Sequence, residues 1–230
     1  MRLDKYISQS SGLSRKEAKL MLKQRRVTVD GGVVVSADQP VGEANVIEVD
    51  GEMLSAPSKH YFMLHKPRGV VCARSDLLHP TVLSLIEEPF GQRLHPVGRL
   101  DIDTTGLVLL TDDGQWSHGI ASPKKDKCKV YDVTLADTLV ENAEERFKEG
   151  LLLKGEEKPT LAARLVRLSS TQVQVTLHEG RYHQVKRMFA ALGNRVISLH
   201  RSSIGTLVLD AKLKAGEYRT LTKKEIEALK

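Results

Sequence analysis

The sequence predicts an α+β protein: a small α/β N-terminal domain over residues 1–50, then a larger domain over 60–230 with a mostly antiparallel mixed sheet. Three observations predict it. The first fifty residues read as two helices followed by strands. Residues 51–59 are small and polar with one proline, as a linker would be. From Tyr61 onward, short apolar or alternating runs follow one another between turn signals, with few helices among them. A chain of 230 residues, 40% of them apolar, can bury cores of this size.

In the first domain, Ser14 and Glu17 have the spacing of a capping box. The helix they open buries Ala18, Met21 and Leu22, with the Arg25 stem beside them, and stops near Gln24. Arg15, Lys19 and Lys23 recur every four residues and form one stripe along it. Arg26-Val27-Thr28-Val29 alternates as a strand, Asp30-Gly31-Gly32 turns, and Val33-Val34-Val35 returns. Val46-Ile47-Glu48-Val49 makes a third strand.

In the second domain, Tyr61-Phe62-Met63-Leu64 is a buried strand that stops at Lys66-Pro67-Arg68-Gly69. Leu107-Val108-Leu109-Leu110, bounded by polar turns, is another. Strands follow at 131–135, 163–168 and 173–177, with a polar-faced helix over 139–148 ended by Gly150. Val185, Met188, Phe189 and Leu192 fall at i, i+3, i+4 and i+7, an amphipathic helix closed by Gly193-Asn194. Thr222 and Glu225 open a last helix with a second capping box.

Charge narrows the partner. The net charge is +6, and residues 1–30 alone carry eight basic side chains (Arg2, Lys5, Arg15, Lys16, Lys19, Lys23, Arg25, Arg26) against three acids. So lopsided a patch points to a polyanion. Further basic groups lie at 124–131, where Lys125, Lys127 and Lys129 share a face with Tyr131 in an extended chain, at Glu179-Gly180-Arg181-Tyr182-His183-Gln184-Val185-Lys186-Arg187, and at Arg195, His200 and Arg201.

Other classes are excluded. No apolar run reaches the ~20 residues of a membrane span, so no membrane partner is expected. No apolar signal core follows Met1, which predicts a cytoplasmic protein. Cys72 and Cys128 form no Cys-x-x-Cys pair and read as reduced thiols. Phosphate-binding glycine loops and zinc spacings are missing from the sequence, so no nucleotide cofactor or zinc is expected.

The chemistry concentrates in Gly98-Arg99-Leu100-Asp101-Ile102-Asp103-Thr104-Thr105-Gly106, a polar turn opening onto a buried strand. A carboxylate held there suits catalysis or merely caps the turn. Asp101, Asp103, Asp112 and Asp113 together suit a metal-dependent nuclease. A non-catalytic RNA-binding assembly factor is a further alternative.

Gly98-Arg99-Leu100-Asp101, followed by Thr105-Gly106 and Leu109-Leu110-Thr111-x-Asp113-Gly114, resembles the signature of the RsuA branch of pseudouridine synthases. Lys66-Pro67-x-Gly69, Lys129-x-Tyr131 and the 179–189 segment match further motifs of that family in order, and residues 1–50 resemble the S4 RNA-binding domain. The resemblance covers essentially the whole chain and implies an S4-like domain followed by a pseudouridine synthase domain. It further implies isomerisation of one uridine, by analogy with the small-subunit members uridine 516 of 16S rRNA, with no cofactor and no metal. The implied partner is 16S rRNA or a small-subunit assembly intermediate, met by a monomer. Asp101 is then the catalytic aspartate, Tyr131 stacks on the extruded base, Lys186 pairs with Asp101, and Leu199 supports the base. Arg2, Arg15, Lys16, Lys19, Lys23, Arg25, Arg26, Arg99 and Arg181 are the candidate RNA contacts. Lys186 stands where many relatives carry arginine, which keeps the charge but loses the bidentate fork.

Overall fold

Two helices open the chain in the computed structural model, which describes residues 1–42, 44–122 and 127–230. They are α1 (Leu3–Ser11), which ends on Gly12 in the left-handed conformation, and α2 (Arg15–Lys23). Ser14 and Glu17 form the full capping box, each side chain bonded to the other's backbone N–H. β1 (Val27–Val29), β2 (Gly32–Val33), β3 (Ile47–Val49) and β4 (Glu52–Met53) make an antiparallel sheet in the order β2-β1-β3-β4. Leu3, Tyr6, Ile7, Ala18, Leu22, Val27 and Ile47 form its core. β4 lies inside the stretch expected to be linker: Glu52 and Met53 pair with Val49 and Glu48, and this unit runs over residues 1–59. The returning strand is shorter than expected and ends at Val33.

The second unit, residues 60–230, has one large sheet. Its strands are β5 (Tyr61–Lys66), β6 (His95–Val97), β7 (Thr105–Thr111), β8 (Lys129–Leu135), β9 (Arg164–Arg167), β10 (Gln172–Leu177), β11 (Val196–Ile204), β12 (Leu207–Val208) and β13 (Tyr218–Thr220). They run β13-β5-β7-β11-β8-β10-β9, with β12 on β11 and β6 on β7. The β7–β11 ladder is parallel; the other strand ladders among the described residues are antiparallel. The helices are α3 (Gly114–Ala121), α4 (Ala143–Glu149), α5 (Gln184–Ala191) and α6 (Lys223–Ala228).

Strand alternation sorts the apolar side chains onto two faces. Phe62, Leu64, Val108, Leu110, Tyr131, Val133 and Leu199 pack with Phe147 of α4 and Val185, Met188 and Phe189 of α5. Met63, Leu107 and Leu109 pack on the other face with Trp116 and Ile120 of α3 and with Leu229. β7, buried on both faces, therefore reads as the continuous apolar run seen in the sequence.

α4 starts at Ala143, later than expected. The carbonyls of Leu139, Val140 and Glu141 accept from the Arg167 guanidinium, which also pairs with Glu144. Those acceptors are satisfied without a helix. β11, the longest strand, falls where the sequence showed only the basic group Arg195, His200 and Arg201. Those three do not cluster: Arg195 is exposed, His200 accepts or donates at Thr105 Oγ1 over 2.8 Å, and Arg201 is buried.

Candidate active site

Asp101 occupies a loop that the neighbouring backbone fixes from several sides. Gly98 turns the chain with φ 76°, and the Thr104 N–H donates to the Asp101 carbonyl at 3.1 Å. Lys66, with no exposed surface, reaches under the loop, and its ammonium donates to the carbonyls of Thr104 (2.7 Å), Pro67 (3.0 Å) and Ile102 (3.4 Å). Burial draws the Lys66 pKa below its ordinary value, with nearby carboxylates opposing. Gly69 N–H and Arg68 Nε close the loop on the carbonyls of Ile102 and Asp103. The Lys66-Pro67-x-Gly69 motif is thus the mount of Asp101.

The Asp101 carboxylate, 24% exposed, faces a cleft of about 540 Å³, within the range of small-molecule sites. Lys186 Nζ sits 2.9 Å from Asp101 Oδ2 and 2.6 Å from Asp103 Oδ1. His183 Nε2 lies 3.4 Å from Asp101 Oδ1. Burial opposes the Lys186 charge, but the bonds and charges of Asp103 and Asp101 outweigh it, so its pKa rises. Burial likewise pushes Asp103 up, yet Lys186 prevails and holds it below the usual carboxylate value.

Tyr131 and Leu199 line the same cleft, both on the α5 face of the sheet and both more than nine-tenths buried. Arg99 is exposed at its rim. The structure thus brings Asp101, Tyr131, Leu199 and Arg99 around one cavity, with Lys186 paired to Asp101.

Other expectations change. Asp103 is no mere turn cap, since it shares Lys186 with Asp101. Arg181, expected on RNA, lines the cleft but is engaged within the protein: it pairs with Glu179 and Glu156 and donates to the carbonyls of Lys158 and Pro159. Four of the five N–H donors of a guanidinium are then committed. Lys125 falls outside the described residues; Lys127 precedes β8, and Lys129 opens it and lines the cleft.

The nuclease reading loses its basis. Asp112 and Asp113 follow β7 whereas Asp101 and Asp103 precede it, and seven extended residues separate the pairs by about 20 Å. Asp112 is held by His60, and Asp113 caps α3 and accepts from Tyr61.

Sequence reasoning missed His183 as a partner of Asp101. A non-glycine residue at φ 48° opens α5 there, and it stacks on Tyr182. Such strain clusters at functional sites, but it is invisible without the backbone.

In the first unit, Arg2, Arg15 and Lys19 converge on Asp4, whose side chain is fully buried, at 3.2, 2.8 and 4.0 Å. Burial favours neutral Asp4, but the hydrogen bonds from Arg2 and Arg15 win and its pKa falls. Two cations of the stripe, themselves half-exposed, thus answer a buried carboxylate, so mutating Arg15 with Lys19 removes partners of Asp4 as well as surface charge. Arg26 is engaged by Asp50. Lys16, Lys23 and Arg25 stay exposed, without a side-chain partner among the described residues.

Residues 60–191 match the family of RNA pseudouridylate synthases, and residues 1–47 match the S4 domain. The chain belongs to the RNA pseudouridylate synthase family. It is 50% identical to the ribosomal small subunit pseudouridine synthase A of Haemophilus influenzae, over 100% of this chain and 99% of that protein. It is also 50% identical to the protein of that name from Escherichia coli strain K12, over the full length of both. A crystal structure of a pseudouridylate synthase superposes with a TM-score of 0.74 at 50% identity, covering 100% of this chain and 99% of that one. Members of this family are isomerases that act on RNA, and the α+β fold with its S4 unit is the family's.

Proposed function

We propose that this enzyme converts one uridine of small-subunit ribosomal RNA to pseudouridine, with Asp101 as its catalytic carboxylate. By its full-length likeness to small-subunit enzymes the target is uridine 516 of 16S rRNA, met in free RNA or an assembly intermediate. The enzyme works as a cytoplasmic monomer, with residues 1–50 acting as the RNA-holding domain. The observation that carries this reading is the Asp101 carboxylate, paired with Lys186, on a cleft walled by Tyr131 and Leu199.

The reaction breaks the N1–C1′ bond of the uridine, forms a C5–C1′ bond, releases the C5 proton and returns a proton to N1. The target leaves its stack to reach Asp101, and Arg99 at the rim fills or bridges the space behind it. Tyr131 stacks on the base and Leu199 supports it. Lys186 holds the Asp101 carboxylate in place through a direct ion pair, and that carboxylate acts as nucleophile or base on the sugar or the ring.

The test is tritium release from small-subunit RNA, or an assembly intermediate, labelled at uracil C5, with EDTA present. Release by the wild type that disappears in Asp101→Asn is expected. Release that persists in Asp101→Asn removes Asp101 from the chemistry, and no release from either substrate overturns the reading.

A further inference from the structure

β11 carries into the cleft an arginine that the mechanism above does not use. Arg201 stands opposite Tyr131 in the β8–β11 ladder. Directly opposed residues share a sheet face, and Leu199, two positions earlier, shares it too. All three line the cleft with Asp101. Opposite Arg201 in β7 stands Gly106, where an added Cβ would meet the Arg201 backbone at 2.3 Å. The strand that holds Arg201 is therefore pressed tightly against the strand that follows Asp101.

The side chain is built in but incompletely satisfied. Arg201 is 3% exposed and its Nε donates to the Leu107 carbonyl at 2.8 Å. Its Nη2 is buried with no hydrogen-bond partner among the described residues. Thr104 Oγ1, from another residue lining the cleft, is buried and unpartnered as well. A guanidinium stays charged at any working pH, and native interiors rarely keep such a donor idle without a functional reason. The two carboxylates on the Asp101 loop are both answered by Lys186. What the free donor lacks is an acceptor that arrives with the substrate.

We propose that Arg201 Nη2 donates a hydrogen bond to a ring carbonyl oxygen, O2 or O4, of the extruded uracil and stabilises the negative charge that forms there as the base detaches. This rests on the Asp101 reading. When N1–C1′ breaks, its electron pair leaves with N1 and spreads over O2 and O4, while Asp101 attends the electron-poor C1′. After the ring turns, C5 supplies the pair for the new bond, the C5 proton passes to solvent, and N1 takes up a proton. No oxidant or reductant is needed. A donor aimed at developing charge in a water-poor site acts mainly on the rate of the chemical step.

The experiment pairs protein and substrate changes. Small-subunit RNA carries the C5 tritium label and sulfur, a poor acceptor, in place of O2 or O4 of the target uridine. Single-turnover release and RNA affinity are measured for the wild type, Arg201→Met and Arg201→Lys. The expected result is that Arg201→Met slows release about 100-fold, with RNA affinity little changed. Sulfur at one of the two positions slows the wild type about 10-fold and leaves Arg201→Met unaffected. If Arg201→Met does not fold, Arg201→Lys, which retains the charge but loses the second donor, is expected to show the same insensitivity to sulfur. Equal sulfur effects in wild type and variant overturn the proposal, because a merely structural arginine gives additive losses. A wild type indifferent to sulfur at both positions overturns it without any variant. No release by the wild type from unmodified RNA instead defeats the Asp101 reading, and this proposal with it.

Discussion

Lys186 answers two carboxylates at once, and that arrangement fixes its response to mutation and to pH. Asp103 is held below its ordinary pKa and Lys186 above its own. The Asp103–Lys186 pair therefore stays charged across the neutral range. It loses its carboxylate as pH falls through the lowered Asp103 pKa, and its cation only as pH rises through the raised Lys186 pKa. In Lys186→Met the Asp101 and Asp103 carboxylates lose their shared cation, and Asp103 loses the partner that holds its pKa down. The acid limb of kcat/KM is then expected to move up by about one pH unit or more, and the neutral rate to fall about 100-fold. Lys186→Arg restores the charge and is expected to recover most of the rate. A profile of kcat/KM from about pH 4, near the ordinary carboxylate value, up to about pH 9 checks both. Lys66 makes a different prediction. It sits under the Asp101 loop and donates to three carbonyls. Lys66→Met takes this donor from the Thr104 and Pro67 carbonyls, while the Ile102 carbonyl keeps the Gly69 N–H, and a loss of about 1–3 kcal/mol in urea unfolding is expected, together with a fall in activity.

At the scale of the elements, the join between β7 and β11 is the tightest constraint on the site. Gly106 has φ 110°, and a methyl group there would lie 2.3 Å from the Arg201 carbonyl oxygen. Gly106→Ala cannot be accommodated by a side-chain rotation, because the obstacle is backbone. A destabilisation of about 3 kcal/mol or more is expected, measured by thermal or urea unfolding, with loss of the parallel ladder that carries Arg201 and Leu199. The same join shows what a sequence discloses. β7 was legible because both of its faces are buried, and a run of leucine and valine says so. The helices opened by Ser14 and Thr222 were legible because a capping box is a local code. β11 was not: it places Arg201 in a polar cleft and Ser198 and His200 on the opposite side, so no apolar periodicity marks it. β4 hid in a polar stretch because its two residues are exposed and held by backbone bonds to β3. Asp101 could be named from its motif, whereas the partners that make it chemically useful come from α5 and its entry turn, some eighty residues later. Of these, Lys186 came from family resemblance, while the His183 contact exists only in three dimensions.

The molecule as a whole divides its work between two units, each with a hydrophobic core of its own. One carries the cleft, and the other gathers eight basic side chains in its first thirty residues, cations that are themselves of two kinds. Arg2, Arg15 and Lys19 surround a buried carboxylate, Asp4, whose lowered pKa means that its contribution to stability is present above the usual carboxylate range and is lost as pH falls through the lowered value. Replacing Arg15 and Lys19 by alanine therefore removes partners from a buried charge and is expected to destabilise the first unit as well as weaken RNA binding. Lys16, Lys23 and Arg25 are exposed and uncommitted among the described residues, so they separate the two effects. The triple variant Lys16→Ala, Lys23→Ala, Arg25→Ala should unfold at the wild-type urea concentration. Each phosphate contact released contributes about 0.7–0.9 to the slope of log affinity against log salt. If all three side chains hold phosphates, the slope should shrink by about 2 to 3 units, and binding at low salt should weaken far more than binding at high salt. Filter binding of small-subunit RNA across a salt series measures this. A slope unchanged in the triple variant would remove these three residues from the RNA interface and leave the Asp4 cluster as a structural device alone. The rate of tritium release from saturating RNA should stay at the wild-type value throughout, because phosphate contacts position the substrate without touching the base.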